Sequence, residues 1–264
     1  MRTSLASTLL PGLAAAALLL GGCAPALAPA PSPGVPPSLQ PTPLLSIPTV
    51  IPTPSVTPAA TATSSTDVRS GAGELVFDAR FAADEGWVVG SDTGGGASLA
   101  DGSLVLAVSL PDASRYVLAP TPPQADFLLE AGLRASLCSA ADEIGILFRV
   151  SPGGDHYRFT LDCQGEVRLT RVVGTGAVLL AGPTDAPGAI PGSPADNRLA
   201  VLGRGDTFSL LVNDEAVLQV RDPRLTSGQF GFFVRSAGQG QTTAALTAFR
   251  LWGLLPAATP TPSG

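Results

Sequence analysis

Seven polar side chains stand at strand-like spacing between residues 126 and 172: Glu130, Arg134, Arg149, His156, Arg158, Asp162 and Arg168. If the runs that carry them pair as an antiparallel meander, all seven share one sheet face, because successive side chains of a strand point to opposite sides. Guanidinium and carboxylate groups mixed on one face can donate to and accept from the hydroxyls of a sugar-like ligand. The same set also describes a solvated face laced by cross-strand ion pairs. Aromatic platforms are scarce. Tyr116 and Tyr157 are the two tyrosines, and Trp87 and Trp252, near the ends of the strand-rich region, are expected in the core.

Other chemistries are excluded by residue type. All 15 basic residues are arginine, so there is no lysine for a Schiff base, a P-loop or a lysine base. His156 is the single histidine, which rules out a multi-histidine metal site. It is expected to be a surface strand residue. Gly94-Gly95-Gly96 and Gly174-Thr175-Gly176 have no helix after them and are expected to be turns, not phosphate loops. Arg204-Gly205-Asp206 spells an adhesion tripeptide but sits where a hairpin turn is expected. The net charge is −6 with no basic run, which argues against nucleic acid as a partner. No catalytic residue and no metal ligand set is legible.

The elements that must position these groups read as strands. From Glu74 to Trp252 the apolar residues follow period two, as in Phe127, Leu129, Ala131, Leu133 and Ala135, or Tyr157, Phe159 and Leu161. Asp101-Gly102, Gly153-Gly154, Gln164-Gly165, Asn213-Asp214 and Ser227-Gly228 punctuate them as turns. About a dozen short strands without an amphipathic helix predict an all-β fold, an antiparallel β-sandwich.

The sandwich is expected over residues 73–254, after two segments of different character. Residues 1–22 carry Arg2 and then an apolar run to Leu20, too short to span a membrane. This is a secretion signal. Leu20-Gly21-Gly22-Cys23 resembles the lipobox of bacterial lipoproteins, which implies cleavage before Cys23 and its acylation. The membrane, reached through lipidated Cys23, is then the first partner, and the domain is exported. Residues 23–72 form a linker with prolines from Pro25 to Pro58 and no charge between Arg2 and Asp67. Each proline fixes φ and removes a donor, so the segment is expected to be disordered and extended. Residues 255–264 repeat the Pro-Thr style as a tail. In an exported chain, Cys138 and Cys163 are expected to form a disulfide. A strict meander would leave one strand between them, about 10 Å at two strand spacings, beyond the ~7 Å that a disulfide tolerates. The bond therefore requires the 139–142 turn to curl the ends together, or a different strand order.

With the strands in order, a family pattern appears. Phe77-Asp78-Ala79-Arg80-Phe81 and Trp87 open the domain. Asp126 to Glu130, Gly145 to Arg149 and Tyr157-Arg158-Phe159 occupy its middle. Asn213-Asp214, Gly228 to Phe232 and Phe249 to Trp252 close it. This resembles the concanavalin A-like lectin/glucanase sandwich (jelly roll), nearest its laminin-G-like, family-16-glycosidase-related and 3-keto-disaccharide hydrolase-like members. The resemblance implies a concave face that can hold a glycan or another cell-surface ligand. It requires no cofactor, though some related sandwiches hold a structural calcium ion, for which Asp78 and Asp222 are acidic turn residues. The glycosidase branch uses Glu-x-Asp-x-(x)-Glu on one strand, and this chain has no such run. Asp142 and Glu143 are adjacent and point to opposite faces, and Asp162 and Glu166 flank a turn. The expectation is a non-catalytic module for glycan binding or adhesion, with a glycoside-active hydrolase or a structural or protein-interaction module of the envelope as alternatives.

Overall fold

Period-two alternation gives each strand one apolar face to bury, and the computed structural model buries it between two sheets packed face to face. It describes residues 68–255 except residue 239; the expected signal peptide, Cys23, the expected linker as far as residue 67 and the expected tail from residue 256 lie outside the described residues. The strands are β1 (Ala72–Asp78), β2 (Gly90–Asp92), β3 (Gly95–Ala100), β4 (Ser103–Val108), β5 (Ser114–Leu118), β6 (Phe127–Leu137), β7 (Glu143–Val150) and β8 (His156–Asp162). They continue with β9 (Glu166–Val173), β10 (Gly176–Asp185), β11 (Ala195–Arg204), β12 (Thr207–Val212), β13 (Glu215–Arg221), β14 (Gln229–Arg235) and β15 (Thr242–Leu254). Among the described residues there is no α-helix.

Nine strands form one sheet in the order β13-β12-β11-β6-β15-β4-β3-β2, with β1 on the far end of β15. The other six run β10-β9-β8-β7-β14-β5. All pairings are antiparallel. Turn chemistry sets the hairpins. Asn213 and Asp214 both take left-handed φ, 48° and 71°, the two-residue turn that suits the twist of β12 and β13.

The inward side chains interlock between the sheets. Phe127 meets Phe230 at 4.7 Å between ring centroids, and Phe148, Tyr157 and Phe208 form a cluster at 4.8–5.2 Å. Trp87 lies in the core, edge-on to Phe249. Trp252 does not: Leu251 beside it faces the core, so Trp252 stands half-buried on the outside of the nine-stranded sheet.

The expected meander from residue 126 to 172 is corrected by this topology. β7, β8 and β9 are consecutive neighbours, but β6 lies in the opposite sheet between β11 and β15. Alternation is the same in either sheet, so it could not report the crossing after Leu137. That crossing also resolves the cysteine geometry. Cys138 leaves one sheet and Cys163 leaves the other at the same end of the sandwich. No strand separates them, and they are bonded with Cα atoms 6.2 Å apart.

Candidate functional site

The six-stranded sheet turns Ile144, Ile146, Phe148, Tyr157, Phe159, Val167 and Leu169 into the core. Strand alternation therefore sends their neighbours outward. In register across β5, β14, β7, β8 and β9, one outward row reads Tyr116, Phe233, Gly145, Thr160 and Arg168. The next reads Leu118, Gly231, Leu147, Arg158 and Thr170. A third carries Arg235, Glu143 and Asp162.

The third row is an ion-pair network. Arg235 donates to Glu143 at 2.9 Å, and Arg168 bridges Asp162 at 2.9 Å and Glu166 at 2.8 Å. Asp162 also accepts from the Gln164 and Glu166 backbone N–H groups, so it closes the turn between β8 and β9. Glu143 and Asp162 stand directly opposite each other on neighbouring strands, both buried.

The first two rows differ from the third. The Arg158 guanidinium carbon lies 4.5 Å from the centre of the Phe233 ring. From β8 it reaches across β7 to β14, past Gly145. Glycine leaves that path clear, and β7 and β8 approach so closely there that a Cβ on Gly145 would stand 2.1 Å from the Phe159 carbonyl oxygen. Among the described residues, Arg158 has neither a carboxylate in ion-pair range nor a hydrogen-bond partner, and its buried Nε–H is unmet. Burial pulls its guanidinium below arginine's usual range; Glu143 opposes this and Arg235 adds to it. Leu147, Val150 and Phe233 form a small apolar cluster under it, outside the main core. Beside them Tyr116, the cross-strand partner of Phe233, is 55% exposed. Its ring borders a groove of about 370 Å³ at the sandwich edge, lined also by Val88, Val89, Gly90, Ser114 and Arg115. That volume lies within the range of small-molecule sites.

The seven face residues named from the sequence therefore separate. His156, Arg158, Asp162 and Arg168 share the outer face of the six-stranded sheet. Glu130 and Arg134 belong to the other sheet, where they pair with Arg69 and Asp196. Arg149 is on neither outer face. A register shift opposite β14 and a φ of 51° at Arg149 make a bulge that turns its side chain inward. There it is 1% exposed, donates to the carbonyls of Ala125, Gly205 and Leu225, and lies over Phe208. His156 is half-buried, its Nδ1 2.7 Å from the Gly154 carbonyl oxygen. Burial lowers its pKa and Arg158 adds to this, against the Gly154 bond and Asp155.

Other motifs are absorbed by structure. Asp206 pairs with Arg221 at 2.7 Å, Arg204 donates to the Leu255 carbonyl and Gly205 is held from both sides, so the tripeptide is a bound turn. Asp78 pairs with Arg250, and Asp222 accepts from Tyr157 and pairs with Arg171. Among the described residues no three histidine, cysteine or acidic side chains are grouped as metal ligands.

Phe233 and Tyr116 were missed as face residues. A signal existed for the first: Phe232-Phe233 are consecutive, and a strand cannot bury both in one core.

No protein-family model and no curated protein matches this sequence. Solved structures do match the sandwich. It is similar to the carbohydrate-binding module CBM66 from Bacillus subtilis, with a TM-score of 0.50 and 18% identity over 62% of this chain and 93% of that one. A Bacillus subtilis protein of unknown function with a galectin-like fold gives 0.52 and 14% over 70% and 99%. The exoplasmic/lumenal domain of VIP36, in its Ca2+/Man3GlcNAc-bound form, gives 0.51 and 13% over 66% and 87%. The domain is an antiparallel jelly-roll sandwich, the fold it shares with these structures.

Proposed function

We propose that this chain is an exported, lipid-anchored protein whose sandwich binds glycans on the outer face of its six-stranded sheet. The observation that carries the reading is Arg158, lying over Phe233 and without a hydrogen-bond or ion-pair partner among the described residues, beside the exposed ring of Tyr116. A sugar ring presents hydroxyl edges and an apolar face, and this patch offers donors and an aromatic surface together. Structures of the same fold that are named as binding carbohydrate support the reading. The anchor rests on Leu20-Gly21-Gly22-Cys23 and the proline-rich linker that follows it.

A glycan array probed with the full-length protein tests the binding. The expected result is retention of one or a few oligosaccharides without release of sugar, and loss of that retention in Tyr116→Ala. An array with no hit removes the reading. A second reading, glycoside hydrolysis, is favoured by one observation, the directly opposed carboxylates Glu143 and Asp162. A glycosidase needs a free nucleophile or base beside a protonated acid. Here both carboxylates are bonded to arginine and Asp162 also closes a turn. Product released by the wild type and abolished in Glu143→Gln would establish hydrolysis.

A further inference from the structure

We propose that the ligand of this face carries an anionic group, a uronate carboxylate or a sulfate ester, and that Arg158 receives it. The inference rests on the glycan reading and narrows it to acidic saccharides.

Charge on this face is otherwise closed. Arg235 is neutralised by Glu143, and Arg168 by Asp162 and Glu166. The acid whose charge acts on Arg158 is Glu143, whose Oε1 is already taken by Arg235 at 2.9 Å. Arg158 is thus the face's one uncompensated cation among the described residues, in a chain whose net charge is −6. A solvated surface arginine would need no explanation. This one is half-buried, and its Nε–H is removed from water with nothing to accept it. That buried Nε–H is closed to a ligand as it is to water, but the terminal Nη groups are not among the buried atoms and no oxygen of the described residues accepts from them, so they are the donors an oxyanion can reach. Guanidinium is a planar fork suited to two parallel bonds with a carboxylate or sulfate, and such bonds are stronger than those to neutral hydroxyls. Contact with the Phe233 ring restrains the guanidinium before a ligand arrives, so less rotamer freedom is lost on binding. Tyr116 then supplies the neighbouring surface for the sugar ring.

The test uses matched pairs that differ only in charge. Oligogalacturonate is compared with its methyl ester, and sulfated chondroitin oligosaccharide with the desulfated form, by calorimetry on the full-length protein and on Arg158→Gln. The expected result is at least a tenfold preference for the charged member of one pair, lost in Arg158→Gln while the melting temperature stays within a few degrees. Preference in the first pair identifies carboxylate as the source, and in the second, sulfate. Equal binding of charged and neutral members overturns the anionic assignment and leaves the glycan reading standing. So does binding of neutral array glycans alone. A preference that survives Arg158→Gln overturns the role of Arg158. Silence of both pairs and of the whole array defeats the glycan reading itself.

Discussion

Arg149 and Arg158 show how one residue type takes two roles nine positions apart. Both lie over a phenylalanine ring, but Arg149 faces the core and has three carbonyl acceptors, whereas Arg158 faces outward and has none among the described residues. Arg149 ties together the segments at Ala125, Gly205 and Leu225. Arg149→Met removes three charge-assisted bonds that tie these segments together and should cost on the order of 3 kcal/mol in urea unfolding at pH 7. A loss under ~1 kcal/mol would contradict the carbonyl-cage role. Tyr116→Ala removes an exposed ring and should change stability by no more than ~0.5 kcal/mol, with glycan affinity falling about tenfold or more.

Glu85 gives a pH signature. Burial opposes its ionisation. The Arg80 N–H at 2.9 Å, the Trp87 Nε1–H at 2.9 Å and the Phe81 N–H at 2.8 Å, with the Arg80 charge, outweigh burial and hold its carboxyl below the usual glutamate value. A lowered folded pKa means its stabilisation is complete above the unfolded value of about 4.3 and is lost as pH falls through the folded one. Glu85→Gln should therefore lose on the order of 1–3 kcal/mol at pH 7, and the gap to wild type should narrow below about pH 4. A gap unchanged at pH 3 would refute the assignment.

At the scale of elements, the crossing from β6 to β7 decides most. It assigns Glu130 and Arg134 to one sheet and Arg158 and Asp162 to the other, and it brings Cys138 to Cys163. The disulfide spans 25 residues and joins the two sheets at one end of the sandwich. On the chain-entropy model, reduction should cost roughly 3–4 kcal/mol, read as a lower denaturation midpoint in dithiothreitol. An unchanged midpoint with both thiols labelled would show that the bond contributes nothing. Strand existence and most turns were readable, since Asn213-Asp214 and the alternation of β6 to β9 are local features. The face was only half readable. Alternation gave which neighbours of Tyr157 point outward, but not that a bulge after Phe148 would turn Arg149 inward, because bulging is set by the register with β14, far away in sequence.

For the whole molecule, the anchor reading makes a separate prediction. A Cys23→Ser variant should lose palmitate incorporation and membrane retention while the sandwich keeps its melting temperature; undiminished lipid labelling would refute the anchor. By itself the sequence determined what depends on composition and short-range pattern: absence of lysine and of a histidine cluster, period-two strands, turn chemistry, and the expectation of a leader, an acylated cysteine and a linker. These follow from side-chain chemistry and from neighbours within a few residues. The tertiary structure alone decided which sheet each strand joins, that Cys138 meets Cys163, and that Arg158 meets Phe233 with no acid in ion-pair range among the described residues. Those are contacts between segments far apart in the chain. Strand alternation leaves them open, because a strand's two faces look the same from sequence whichever sheet it enters.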